Sequence, residues 1–190
     1  MGLVNSQKGV CMAPSGKAEA TKRRTLLIAY GNTSRRDDGV AYHVVQRLCA
    51  RLGLEADGLD AEEGMLDERL SVLRLHQLAP ELAETLARYD AVVFIDAHVG
   101  GQGWAPVEWR PIEPAYAPSL VSHHLKPAAV LALCDTLYGA HPQGYALSIL
   151  GHDFDFGEDL SPATLALVDE AVERLVRFLE DVPWLQGKEA

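Results

Sequence analysis

Two adjacent aspartates, Asp37 and Asp38, close the segment "GNTSRRDDG" over residues 31–39. Imidazole and carboxylate groups recur downstream: His76 in "LHQL", Asp96 and His98 in "FIDAHVG", His123 and His124 in "SHHLKP", and His152 and Asp153 in "LGHD". Mixed nitrogen and oxygen donors without thiolate are the ligand set of zinc, nickel or iron, and a three-ligand site leaves positions open for a substrate. None of these residues has a local spacing such as HExxH, so only the fold can bring them together. Each also has a plain structural reading. Asp37 or Asp38 suits the N-terminus of the helix that follows. His76 suits a half-buried imidazole bonded to a carbonyl, and Ser122 suits an N-cap beside two solvated histidines. Arg35 and Arg36 suit a solvated turn.

The elements that would position these groups follow from periodicity. "TLLIAYG" (25–31) is a short apolar run ending in glycine, the pattern of a strand buried on both faces. Val40, Val44, Val45, Leu48 and Leu52 then stand at helical spacing, with Gly53 as a stop. Residues 54–70 are acidic and read as an irregular loop, and 71–78 alternate as a second strand. Pro80 opens a helix, 91–100 is a central strand, and the proline-bearing 104–114 is an edge strand at most. Residues 126–139 form a helix closed by glycine, and 145–153 a further strand. A long amphipathic helix then starts at Ser161 and Pro162.

Strands alternating with helices imply crossover connections. The expected fold is α/β: a three-layer α/β/α sandwich with a mostly parallel central sheet. Ligands in such folds bind outside the carboxyl ends of the strands, which selects the loops after residues 31, 75, 95 and 151. The expected organisation is a disordered basic tail over 1–24, one domain over 25–185 and a short tail over 186–190.

Composition narrows the function. The chain is 48% hydrophobic and 23% charged, enough for one sizeable core, and its net charge of −10 disfavours nucleic acid and anionic membrane as partners. Three cysteines without a CxxC pair suit a reducing cytoplasm, and Cys134, inside an apolar helical run, reads as a core residue. No stretch approaches a membrane span, and the N-terminal segment lacks the apolar region of a secretory signal. Gly2 and Ser6 match the short myristoylation pattern. The chain has no GxSxG elbow, no GxxxxGK[ST] phosphate loop and no GxGxxG after the first strand.

The segment "LIAYGNTSRRDDGVAYHVVQRL" resembles the opening of the hydrogenase maturation endopeptidases, which trim the large subunit of nickel–iron hydrogenases. "HQLAPELAETLARYDAVVFIDAHVG", "SHHLKPAAVLALCDTLYG" and "GHDFDFGEDLSPATLALVDEAVERLVRFL" resemble later parts of the same family in the same order. The likeness spans residues 25–181. It implies a cytoplasmic metal-dependent endopeptidase that removes a C-terminal peptide from the large-subunit precursor after nickel insertion. The nickel would be that of the precursor, with another divalent metal as an alternative in the resting protein. The family's ligands map onto Asp38 and His123, with His124 as the alternative to His123. The family's middle acid is absent here, and His76 is the nearest ligating group to replace it. Arg35 and Arg36 would be available to hold carboxylates of the precursor. The competing expectation is a non-proteolytic factor that binds metal or precursor on the same fold.

Overall fold

A computed structural model describes residues 23–54, 63–116 and 125–180. The elements are β1 (Thr25–Tyr30), α1 (Val40–Leu52), β2 (Glu63–Asp67), β3 (Leu70–Leu75), α2 (Leu82–Leu86), β4 (Ala91–His98), β5 (Val107–Ile112), α3 (Pro127–Tyr138), β6 (Gln143–Leu150), α4 (Pro162–Leu165) and α5 (Val168–Glu180).

The six strands form one sheet in the order β2-β3-β1-β4-β6-β5. β3, β1, β4 and β6 run parallel, while β2 and β5 close the two edges antiparallel. The sandwich expected from the sequence is therefore the fold observed. Its central strands share one register, with Leu27 beside both Val72 and Val93, so their carboxyl ends meet at one rim.

The layering follows from the pleat. Side chains alternate across a strand, and β1 is buried along its length. Leu27 and Ala29 pack with α1 and α5 on one face, while Leu26 and Ile28 pack with α2 and α3 on the other. α1 turns Val40, Val44, Val45 and Leu48 to the sheet and ends at Gly53, whose φ of 64° is a conformation natural to glycine. α3 buries Cys134, as expected of a core residue, and burial holds its thiol above the ordinary value.

Three local expectations need correction. The acidic stretch before residue 70, whose sequence has the pattern of a loop, contains strand β2. Its Met65 is 77% exposed at the sheet edge, so it lacks the alternating burial that marks a half-buried strand. The final helix is broken at Ala166 and Leu167 into α4 and α5. Arg23 and Arg24, assigned by sequence to the tail, are held by the domain. The Arg24 N–H donates to Asp90 at 2.7 Å, and Arg23 stacks over Phe178. No helix among the described residues is long and apolar enough to cross a membrane.

Candidate functional site

The loop after β1 is compressed against its own end. Gly31 has φ 140°, and a Cβ there would lie 2.0 Å from the Asp38 carbonyl oxygen, so only glycine fits. The Asn32 side chain accepts from Ser34 N–H at 2.9 Å, an Asx turn that starts the reversal. The Asn32 N–H then donates to Asp38 Oδ2 at 3.1 Å. A 3-10 turn over Arg36–Gly39 delivers the chain into α1, whose N-cap is Gly39. Neither aspartate caps α1, which corrects the simplest reading of the pair.

The two neighbouring acids face opposite surroundings. Asp37 is fully buried, and its carboxylate accepts from the His152, Asp153 and Ser161 N–H groups and from the Ser161 and Thr164 hydroxyls. Burial alone would raise its pKa. The bonds from Ser161, His152 and Thr164 outweigh that and hold it down to about 2. Asp37 therefore clamps the loop after β1 onto the segment that leads into α4. Ser161 serves this clamp while also capping α4, accepting from Thr164 N–H at 3.3 Å.

Arg36 strengthens the same junction. It sits at φ 44°, donates its N–H to the Gly157 carbonyl at 2.8 Å and pairs with Asp153 at 2.9 Å. The Gly157 N–H returns a bond to the Ser34 carbonyl at 3.0 Å. Arg36 is thus committed inside the molecule, contrary to the expectation that it awaits a precursor carboxylate. Arg35 donates its Nε to the Phe154 carbonyl at 3.2 Å and remains exposed.

Asp38, in contrast, lines an open pocket of about 380 Å3 at the rim. Arg35, His76, Asp96 and Lys126 line it too. His76 is exposed, one residue beyond β3, and so does not take the half-buried, carbonyl-bonded role of its plain reading. His98 and His152 turn elsewhere. His98 is 6% exposed and its Nδ1 lies 3.0 Å from Ser148 Oγ, while His152 Nδ1 lies 2.9 Å from Thr164 Oγ1. His123 and its alternative His124 lie outside the described residues. Among the described residues, no group of three or more His, Cys, Asp or Glu side chains is disposed to hold a metal ion. Asp38 and His76 place one oxygen and one nitrogen donor on the same pocket, two candidate ligands and not a complete set.

In the sequence Asp96 is one candidate among several, and Tyr30 stands out in no motif. The two stand together in the pocket wall, where each perturbs the ionisation of the other. Burial pushes the Asp96 carboxyl up to about 7, opposed by the nearby Tyr30 hydroxyl and by the bond from its neighbour Ala97 N–H, and reinforced by the Asp38 charge. Burial and the adjacent Asp96 raise the Tyr30 phenol as well. The available signal was positional: Tyr30 ends β1, and Asp96 stands two residues before the end of β4.

Six strands in this order with helices on both faces define a class: the fold is that of the hydrogenase maturation endopeptidases. The hydrogenase maturating endopeptidase HybD from E. coli superposes with a TM-score of 0.60 at 20% identity, over 84% of this chain and 94% of that one. The [NiFe] hydrogenase maturation protease HybD from Thermococcus kodakarensis does so at 0.56 and 21%, over 82% and 98%. The hydrogenase 2 maturation peptidase from Thaumarchaeota archaeon SCGC_AB-539-E09 gives 0.56 and 17%, over 83% and 99%. No protein-family model and no curated protein matches the chain.

Proposed function

We propose that this chain is a cytoplasmic endopeptidase that removes a C-terminal peptide from the precursor of a nickel–iron hydrogenase large subunit once nickel is in place. The observation that carries this reading is the meeting of Asp38 and His76 on one pocket, at the strand rim of a fold shared with proteases of that class.

In this reading the precursor brings its nickel as part of the substrate. Asp38, His76 and His123 would complete the coordination of that ion, and the ion would supply Lewis acidity toward the scissile carbonyl. Asp38 is suited to this because its carboxylate is oriented by the Asn32 N–H while the pocket stays open. Arg35 and Lys126 place positive charge on the same rim, where they can hold carbonyl or carboxylate groups of the entering chain. No serine or cysteine nucleophile is needed. Cys49 and Cys134 are buried, and burial raises both thiols.

The test is to incubate the full-length protein with the large-subunit precursor in nickel-loaded and nickel-free forms and read the C-terminal mass. Loss of a short C-terminal peptide from the loaded form alone is the expected result. A loaded precursor that stays intact overturns the reading, and one that is bound but uncut identifies a binding factor instead.

A further inference from the structure

A second pocket, of about 540 Å3, adjoins the first and shares Tyr30, Asp96, Lys126 and Pro127 with it. Its character is different. Phe94, Ala146 and Ile112 make it mostly apolar, and its two cations are Arg110 and Lys126.

One wall is built in advance. Ser148 Oγ fixes the buried His98 ring at 3.0 Å, the Trp104 indole meets that ring edge-on at 5.2 Å, and the Arg110 guanidinium lies over the indole at 3.9 Å. A guanidinium stacked on an aromatic face is held in place but keeps its N–H donors for a ligand. Glu108 stands 4.0 Å from Arg110 Nε and also accepts from Ala105 N–H at 3.0 Å, which steadies the arginine. The Arg110 side chain nevertheless keeps 43% of its surface open, and Lys126 has no ion-pair partner among the described residues. In a chain of net charge −10, an apolar pocket bordered by two cations is complementary to an apolar side chain accompanied by a carboxylate.

We infer that this second pocket is a substrate subsite, which seats an apolar side chain of the client peptide against Trp104 and Ala146 and pairs a carboxylate one or two residues away with Arg110 and Lys126. The inference rests on the endopeptidase reading. It adds a specificity element beside the metal-facing pocket: a peptide crossing the seam at Tyr30 and Asp96 would present its scissile bond to one pocket and its neighbouring residues to the other.

The test uses the full-length protein and two fluorescein-labelled hexapeptides that differ only in Leu-Glu against Leu-Gln, with binding read by anisotropy. The variants are A146L, which fills the floor, and R110Q, which removes a charge; unchanged circular dichroism of R110Q suffices if A146L fails to fold. The Glu peptide should bind about tenfold tighter than the Gln peptide. R110Q should weaken the Glu peptide about tenfold and leave the Gln peptide unchanged, and A146L should weaken both by about tenfold. Equal binding of the two peptides, no binding of either, or variants indistinguishable from the parent overturns the subsite. Cleavage of the nickel-loaded precursor separates this from the broader reading. Variants that cleave with unchanged KM overturn the subsite and leave the endopeptidase standing. The expected peptide pattern without any cleavage overturns the endopeptidase and leaves a peptide-binding site.

Discussion

The Asp37 carboxylate accepts the Thr164 hydroxyl at 2.7 Å, which ties the loop after β1 to the first turn of α4. Replacing Asp37 with Asn removes the charge that five donor groups are arranged around and turns an NH2 group toward some of them. The expected loss is about 3 kcal/mol, or about 6–12 °C in Tm. Calorimetry decides it, and a change below about 2 °C would show that the clamp is dispensable.

The same carboxylate has a pH signature. Its folded value of about 2 lies below the ordinary 3.8, so it contributes stability above pH 4 that is lost as the pH falls from about 4 to 2. The contribution is about 2 kcal/mol. Denaturant titrations across that window should show the decline in the parent protein and a flatter profile in D37N.

Asp96 has the opposite sign. Its folded value of about 7 lies above the ordinary 3.8, so the unfolded chain gives up its proton first. Stability from this group is greatest below pH 4, declines between 3.8 and 7, and is level above. D96N keeps an oxygen for Tyr30 and has no charge to bury, so it should be more stable than the parent at pH 8 and equal to it near pH 4. Equal stability at both pH values would contradict a raised Asp96.

Gly31→Ala tests the compression of the loop. A methyl group 2.0 Å from the Asp38 carbonyl forces either the strand end or the 3-10 turn to move. About 3 kcal/mol or more of stability should be lost, through combined overlap and an unfavourable φ. Gly53→Ala is the control: φ is also positive, but no atom lies within 4 Å of the added carbon, so only about 1 kcal/mol is expected.

Asp38→Asn and His76→Ala test the functional assignment without disturbing the fold. Asn retains an oxygen for the Asn32 N–H, and His76 is exposed, so each variant should melt within about 2 °C of the parent. Precursor cleavage should fall by at least about a hundredfold in each. Cleavage at the parent rate in D38N removes Asp38 from the site.

The sandwich and its rim were legible in the sequence because apolar runs and helical spacing report burial directly. β1, α1 and α3 lie where periodicity placed them, and the N-cap role of Ser161 is observed. The division of labour between Asp37 and Asp38 was not legible. Two identical side chains in succession differ only in what the distant segment 152–164 brings to one of them, and no local pattern carries that information. Met65 hid β2 for a related reason: an edge strand with an exposed apolar residue lacks the alternation that periodicity detects. The Tyr30–Asp96 pair joins two strands and the Trp104–Arg110 stack joins a loop to β5, so strand and helix periodicity is silent about both.

The parallel bridge between Arg35 and Gly157 has a consequence for how such rims can be re-engineered. The loop after β1 is stitched to the stretch after β6 by main-chain bonds in both directions and by Asp37 from within. The two segments therefore form a single transplantable cassette. Grafting "GNTSRRDDG" alone into another scaffold would carry an anion whose receptor stayed behind, whereas moving residues 31–39 together with 151–164 would carry lock and key as one piece.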